Sequence, residues 1–372
     1  MSPRVPFARP VPSRGPLPLF SIEGHRLTRF RPPFRFTSFF APEDTLLCVL
    51  AAEAALLRVT ADPTGTGEGE ARAMRIVELT AGSGLVGFRL LDIARNATLL
   101  GVDVDADAPP VATANAAVLG HAERARFAHT SVWSPELEEA LAAAPADVLV
   151  CNPPYIPEPP GASLPLEAGA GPDGAAHLRR TLELADRVQP AALALSFCSL
   201  ADPVGVVHEA ERIGYRLDAL YAVVLPDGEY SGAVHDYLRS LSTAYLCETP
   251  RTLASIAPDG SARFAYLLLA GAFTFRGRRA AADERGAEGA RAGDPLIGVG
   301  ADERASAALE RLLEDFAVRG LAALDSAEMP CPVSSWLLDR WDEVALRAIV
   351  HGPLHPTPPG TPALEHSPYS SV

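Results

Sequence analysis

Apolar positions along the chain repeat with two different periods. In residues 41–59, Leu46, Leu47, Leu50, Ala54 and Leu57 recur at helical spacing, and Pro42 stands near the start, where a missing N–H costs no intrahelical bond. From residue 74 onward, short apolar runs alternate with helix-patterned stretches. The runs predict strands at 74–79, 98–103, 125–127, 147–152, 192–197, 215–224 and 262–275. The stretches between them predict helices at 85–95, 111–119, 136–143, 175–188 and 203–213. This alternation predicts an α/β fold with a parallel sheet covered on both faces and ligands at the carboxyl ends of its strands.

The segments that break the alternation set the organisation. Residues 1–33 are rich in Pro and Arg, and residues 62–70 (DPTGTGEGE) read as a turn-rich connector. A 35-residue excursion, 226–260, separates the last two strands and is expected to hold one short helix at 232–241. Residues 276–300, rich in Ala, Gly, Arg and acids, read as a linker. An amphipathic helix follows, with Leu309, Leu312, Leu313 and Phe316 on one face, and the Pro-rich end at 353–372 is expected to be disordered. The expected division is therefore an arm and helix at 1–73, a central domain at 74–276 with its insertion at 226–260, and an extension at 277–372.

Composition narrows the class. In 372 residues, 48% are hydrophobic and 21% charged, which excludes a wholly disordered chain. No apolar run approaches the ~18–20 residues needed to cross a bilayer, so no membrane span is expected. Residues 1–18 lack the apolar centre of a secretory signal. The net charge of −14 is uneven: residues 1–35 hold seven Arg against Glu23, a net +6, which leaves −20 for the remainder. All 32 basic residues are Arg, which reads as codon bias. A basic arm on an acidic body can touch a nucleic acid or an acidic partner, or can be only a solvated tail. The five Cys show no metal-ligand spacing, and no metal site is expected; reduced thiols fit a cytoplasmic protein.

Two constellations carry chemistry. The first is Glu78-Leu79-Thr80-Ala81-Gly82-Ser83-Gly84, between a strand and a helix, where glycines let a backbone approach a ligand closely. Asp103 closes the next strand, where a carboxylate can accept both ribose hydroxyls of a nucleoside. The glycine spacing also satisfies the dinucleotide pattern and does not decide between cofactors.

The second constellation is Asn152-Pro153-Pro154-Tyr155, directly after the strand DVLVC. An amide nitrogen has a delocalised lone pair and is a poor nucleophile. The Asn152 side-chain oxygen and the Pro153 carbonyl can accept its two N–H bonds and fix it in place. Proline stiffens that geometry, and Tyr155 can stack on the planar group. Catalysis of this kind is mostly positioning, and orientation can supply roughly 7–11 kcal/mol.

Residues 41–275 resemble the HemK/PrmC group of protein-(glutamine-N5) methyltransferases. The resemblance rests on Pro42-Glu43-Asp44-Thr45, VELTAGSGLVGF, GVDVDADA, ATANAAVLGHAERARF, NPPYIPEP and GPDGAAHLRRTLELA, in that order. It implies a Rossmann-like, seven-stranded class I methyltransferase sheet with helices on both faces, and S-adenosyl-L-methionine as cofactor. It implies catalytic roles for Asn152, Pro153 and Tyr155. It implies cofactor contacts from Glu78, Thr80, Ala81, Gly82, Gly84, Asp103, Ser131, Trp133 and Asn152. Asn115 matches a family position in the helix after Asp103 and reads here as a helix-surface residue. Trp133 is expected either against the adenine or in the core.

The chain departs from the family at several points. Thr80 stands where the family has Gly, Ser131 where it has an acid, and SFCSL where it has LEIG. The family's N-terminal helical bundle, which docks the release factor, is not expected in residues 1–40, and the 226–260 excursion and the C-terminal extension are foreign to it. The implied partner is a protein, a translation factor or ribosomal protein, with the basic arm leaving nucleic acid open. Competing readings are an adenine-N6 methyltransferase on RNA or DNA, a small-molecule N-methyltransferase, and a binding module with a degraded cofactor site.

Overall fold

The computed structural model describes residues 34–35, 37, 41–61, 73–162, 164–248, 261–277, 304–325, 327–331 and 333–335. The expectations for residues 1–33, 62–70, 278–300 and 353–372 lie outside the described residues.

Helix α1 spans Pro42–Ala61, with Glu43 and Asp44 in its first turn and Arg58 in its last, the charge order a helix dipole favours. Strand and helix then alternate: β1 Met74–Leu79, α2 Leu85–Ile93, β2 Ala97–Asp103, α3 Ala108–Leu119, β3 Ala125–His129, α4 Pro135–Ala143, β4 Val148–Cys151, α5 Ala176–Val188, β5 Ala192–Cys198, α6 Pro203–Arg212 and β6 Tyr215–Pro226. The described part of the excursion, 226–248, holds two short helices, α7 Glu229–Ala233 and α8 His235–Ser240, and a two-residue strand, β7 Leu246–Cys247. The sequence pattern gave one helix there; Val234, at φ −112°, separates the two. Strand β8, Ala265–Phe275, follows, and then α9 Ala305–Arg319, α10 Ala322–Asp325 and β9 Val333–Ser335.

The sheet runs β3-β2-β1-β4-β5-β8-β6-β9, with β7 paired to β8. Strands β1 to β5 pair in parallel. β8 inserts between β5 and β6 and is antiparallel to both. The parallel expectation therefore fails at β8: among the described residues between β6 and β8 there is no crossover helix, only the short α7 and α8 and the two-residue β7, and the chain returns antiparallel as in a long hairpin. The seven expected strands are present, and among the described residues β7 and β9 extend the sheet to nine.

Strands buried on both faces read as continuous apolar runs, and successive side chains enter opposite layers. Ile76, Val148 and Val150 face a core built with α1, α2 and α3. Val77, Leu149 and Cys151 face a second core built with α4, α5, α6 and α9. α1 lies across β5 and β8 and touches α2. Its Leu46, Leu47 and Leu50 are buried as the spacing requires, whereas Ala54 and Leu57 are half-buried and Leu56 is fully buried instead. Arg89 of α2 donates to Glu53 of α1 at 2.5 Å inside this layer.

The C-terminal extension joins the fold. Leu309, Leu312, Leu313 and Phe316 of α9 are buried, and α9 packs on α6. Glu211 of α6 caps it: Ala305 N–H and the Ser306 hydroxyl donate to the Glu211 carboxylate at 2.6 and 2.5 Å. β9 pairs in parallel with β6.

Candidate active site

The carboxyl ends of β1, β2 and β4 converge. The loop after β1 turns sharply: Thr80, Gly82 and Gly84 have φ of 56°, 50° and 80°. Left-handed backbone suits glycine but strains a β-branched residue such as Thr80. Its hydroxyl offsets the strain, lying within hydrogen-bonding reach of the Leu79 carbonyl and 3.0 Å from the Asn152 carbonyl. The Ala81 N–H donates to Val102 of β2 at 2.9 Å, which fixes the loop against the neighbouring strand.

Asp103 at the end of β2 accepts the Gly82 N–H at 2.8 Å on one carboxylate oxygen and the Asp105 N–H at 2.9 Å on the other. Burial pushes its carboxyl above the usual range, and the backbone donors oppose that push. A carboxylate offers about four lone-pair sites, so acceptor capacity remains for further donors.

Glu78 lies deeper. It is 4% exposed, and its carboxylate accepts the N–H of Gly87 at 3.0 Å, capping the N-terminal turn of α2. Burial raises its pKa to about 8, with the Gly87 bond pulling the other way and Asp103 adding to the rise. Gly87 leaves room for this contact: a Cβ there would lie 2.5 Å from both the Glu78 carboxylate and Leu99, and those side chains would have to shift.

Asn115 overturns its surface expectation. It is fully buried; its amide donates to the Arg35 carbonyl at 2.7 Å and the Ser83 carbonyl at 3.0 Å, and its oxygen accepts the Arg35 N–H at 2.8 Å. It thereby ties the segment before α1 to the loop after β1. The face of α3 that carries Asn115 packs inward, so a polar residue there needs internal partners.

The loop after β3 carries Ser131 and Trp133. The Ser131 hydroxyl accepts the Trp133 N–H at 3.2 Å. Trp133 is not a core aromatic: it is 50% exposed and meets the His177 ring edge-on at 4.6 Å. Arg180 of α5 fixes this loop, donating to the Val132 carbonyl at 3.0 Å while pairing with Glu138 at 2.9 Å.

After β4 comes the turn 152–155. The Asn152 side-chain oxygen is buried and has no hydrogen-bond partner among the described residues. Pro153 is buried. Tyr155 is 9% exposed, and its hydroxyl donates to both carboxylate oxygens of Asp44 at 2.9 Å. Stacking on a ligand needs an open ring face; Tyr155 instead serves as a wall within the core. The following loop folds on itself: Ile156 bridges to Gly169, and Glu158 accepts the N–H groups of Leu164 and Gly171 at 2.9 and 3.2 Å. The excursion leans on the same loop. The Tyr230 hydroxyl donates to Glu167 at 3.2 Å and the Tyr237 hydroxyl to the Pro172 carbonyl at 2.7 Å. A cavity of about 280 Å³ lies between α7–α8 and Pro159.

Sequence reasoning missed Asp44, Arg180 and His177 as individual contributors. The first two lie inside strings already singled out, Pro42–Thr45 and the GPDG–Arg-Arg stretch, but only the fold shows what they touch. His177 lies in that second stretch too; its Nδ1 is buried with no hydrogen-bond partner among the described residues, and burial lowers its pKa.

No family model matches the chain. Two curated relatives do. A release factor glutamine methyltransferase of Chlorobaculum tepidum is 34% identical over 126 residues, 34% of this chain and 42% of the relative. One of Rhodospirillum rubrum is 42% identical over 83 residues, 22% of this chain and 24% of the relative. The chain resembles release factor glutamine methyltransferases. The matches span less than half the length of either relative. Among solved structures, an S-adenosylmethionine-dependent methyltransferase from Agrobacterium tumefaciens aligns at TM-score 0.37 and 16% identity, covering 65% of this chain and 66% of that one. Another from Geobacter sulfurreducens, in complex with S-adenosyl-L-homocysteine, aligns at 0.33 and 17%, covering 65% and 93%. At these scores the likeness says nothing of this chain's chemistry, and its fold rests on its own strand order. Among the described residues no helix is long and apolar enough to cross a membrane.

Proposed function

We propose that this chain is an S-adenosylmethionine-dependent N-methyltransferase whose acceptor is a protein glutamine side-chain amide. The observation that carries the reading is the Asn152 side-chain oxygen, a buried acceptor at the end of β4 without a partner among the described residues. A buried polar atom left unpaired costs about 1–3 kcal/mol unless a ligand satisfies it, and an amide N–H is the donor that fits. The Thr80 contact to the Asn152 carbonyl sets this acceptor beside the loop after β1.

The residues present fit the cofactor. Asp103 would hold the ribose hydroxyls with its remaining lone pairs, the loop 80–84 would bring backbone close to the ligand, and the open face of Trp133 would cover the adenine. When bound, the cofactor supplies an electrophilic methyl group on a sulfonium centre. Asn152 and the Pro153 carbonyl accept the two N–H bonds of the acceptor amide and hold its nitrogen in line. The two prolines keep that geometry stiff. No residue need take the amide proton beforehand, because it can leave to water afterwards.

The proposed acceptor is a translation factor or ribosomal protein: the names of both curated relatives support the translation factor, and the acidic body of the chain supports a protein over a nucleic acid. A cytoplasmic location goes with that acceptor class. The catalytic unit is proposed to be residues 74–276. The test is methyl transfer from labelled S-adenosylmethionine to host lysate, with and without protease and ribonuclease. Protease-sensitive label that acid hydrolysis releases as methylamine is expected. Ribonuclease-sensitive label would favour adenine-N6 chemistry, and an absence of cofactor binding would favour a non-catalytic module.

A further inference from the structure

The turn that presents Asn152 has an unusual support problem. Pro153 and Pro154 carry no N–H, so two consecutive residues cannot donate to a neighbouring strand. The turn is instead held at its ends by side chains. At one end the Thr80 hydroxyl reaches the Asn152 carbonyl at 3.0 Å. At the other, the Tyr155 hydroxyl donates to both oxygens of Asp44 at 2.9 Å, and Asp44 itself is 8% exposed. Asp44 sits in the first turn of α1, which lies across β5 and β8 and is thereby fixed relative to the sheet.

We propose that Asp44 is a positioning residue for methyl transfer: it anchors the Tyr155 hydroxyl and so sets where Asn152 presents its side-chain oxygen. The proposal rests on the reading of Asn152 as the residue that receives the acceptor amide. Asp44 touches neither the loop after β1 nor Asp103 in any hydrogen bond described above, so its loss should leave cofactor binding intact.

The surroundings of Asp44 give the proposal a second signature. It faces the hydroxyls of Tyr155 and of Tyr266 on β8, the Cys198 thiol on β5, and Cys48 and Glu43 of its own helix. None of these groups is cationic. Burial is the main cause that lifts the Asp44 carboxyl to about 7, the Tyr155 hydrogen bond opposes it, and Glu43 adds to it. The ionised form is the one that accepts the Tyr155 hydroxyl on both oxygens. Ordering of the turn therefore rises as pH increases through about 7.

The experiment compares full-length wild type, Asp44→Asn, Tyr155→Phe and the double variant. Affinity for S-adenosylhomocysteine is read by calorimetry, and transfer from tritiated S-adenosylmethionine is read on ribonuclease-treated host lysate between pH 6 and pH 8.5. Hydrogen–deuterium exchange is followed in the peptide covering residues 152–158. Both single variants should bind S-adenosylhomocysteine within about twofold of wild type, exchange faster in that peptide and transfer methyl roughly tenfold to hundredfold more slowly. The double variant should be no slower than the slower single, and the rise in rate through neutral pH should vanish in Asp44→Asn. Unchanged exchange in both single variants overturns the positioning role, whatever the wild type does with lysate. Unchanged transfer or an unaltered pH profile in an active enzyme overturns it as well. A wild type that transfers no methyl while its variants exchange faster removes the methyltransferase reading and leaves Asp44 as the anchor of the turn.

Discussion

The Thr80 hydroxyl lies 3.0 Å from the Asn152 main-chain carbonyl, so one side chain links the loop after β1 to the turn after β4. A glycine at this position would relax the backbone, which stands at φ 56°, and would lose the link. Thr80→Val keeps the branched shape and removes the donor. It should cost about 1 kcal/mol in urea denaturation, the net worth of one hydrogen bond. Thr80→Gly should be the more stable of the two variants. Equal stability of Thr80→Val and wild type would show that the hydroxyl holds nothing.

Asp103→Ala should weaken S-adenosylhomocysteine binding by ~1–3 kcal/mol in calorimetry, the worth of a charge-assisted hydrogen bond. It also leaves the Gly82 and Asp105 N–H groups without their carboxylate. An unchanged affinity would remove Asp103 from the cofactor site.

Glu78 and Asp44 make stability depend on pH in the direction opposite to that of most carboxylates. Burial lifts Glu78 from 4.5 to about 8 and Asp44 from 3.8 to about 7. Between the two values of each group the folded state binds more protons than the unfolded chain, so its stabilisation is present below about pH 4 and is lost as pH rises to the folded value. These groups should lower the denaturation midpoint at pH 8 relative to pH 5.5. Glu78→Gln, which keeps an acceptor for the Gly87 N–H, should flatten that slope. A slope identical to wild type would mean that Glu78 is already ionised in the folded protein at pH 5.5.

Arg180 holds the Trp133 loop through the Val132 carbonyl and is 9% exposed. Arg180→Met preserves much of the packing but removes the fork. A loss of about 1–3 kcal/mol is expected from the unpaired carbonyl and the broken Glu138 bond, together with a lower indole quenching response to S-adenosylhomocysteine. Arg180→Lys should recover little, since one ammonium cannot reach both partners in the guanidinium geometry. Full recovery by lysine would reduce the role of Arg180 to its charge.

Much of the fold is legible in periodicity because most strands are buried on both faces and most helices on one. The run at 148–151 reads as a strand for that reason, and the α9 stripe at Leu309, Leu312, Leu313 and Phe316 reads as a buried face. Direction is not legible in the same way. β8 is as apolar as a parallel strand, and its reversal shows only in its antiparallel pairing with β5 and β6. Within the site, Asn152, Asp103 and the loop 80–84 stand out because backbone conformation and chain position restrict which residues suit them. Asn115 and Asp44 do not, because their roles depend on Arg35 and Tyr155, which only the tertiary structure brings to them. In the sequence the ring of Tyr155 is what suits a ligand, whereas its observed contact is made by its hydroxyl.

The pairing of β9 with β6 bears on how the chain is made. Leu220 meets Val333, a partner more than a hundred residues further along the chain. During synthesis the N-terminal part of a protein folds first, so the outer side of β6 emerges from the ribosome long before its cover exists. An apolar strand with open N–H and C=O groups is a template for pairing with another chain. The extension thus closes a window of aggregation that stays open until the residues around Val333 have been made. Stalled or truncated products ending before residue 333 should be the form of this protein most in need of a chaperone.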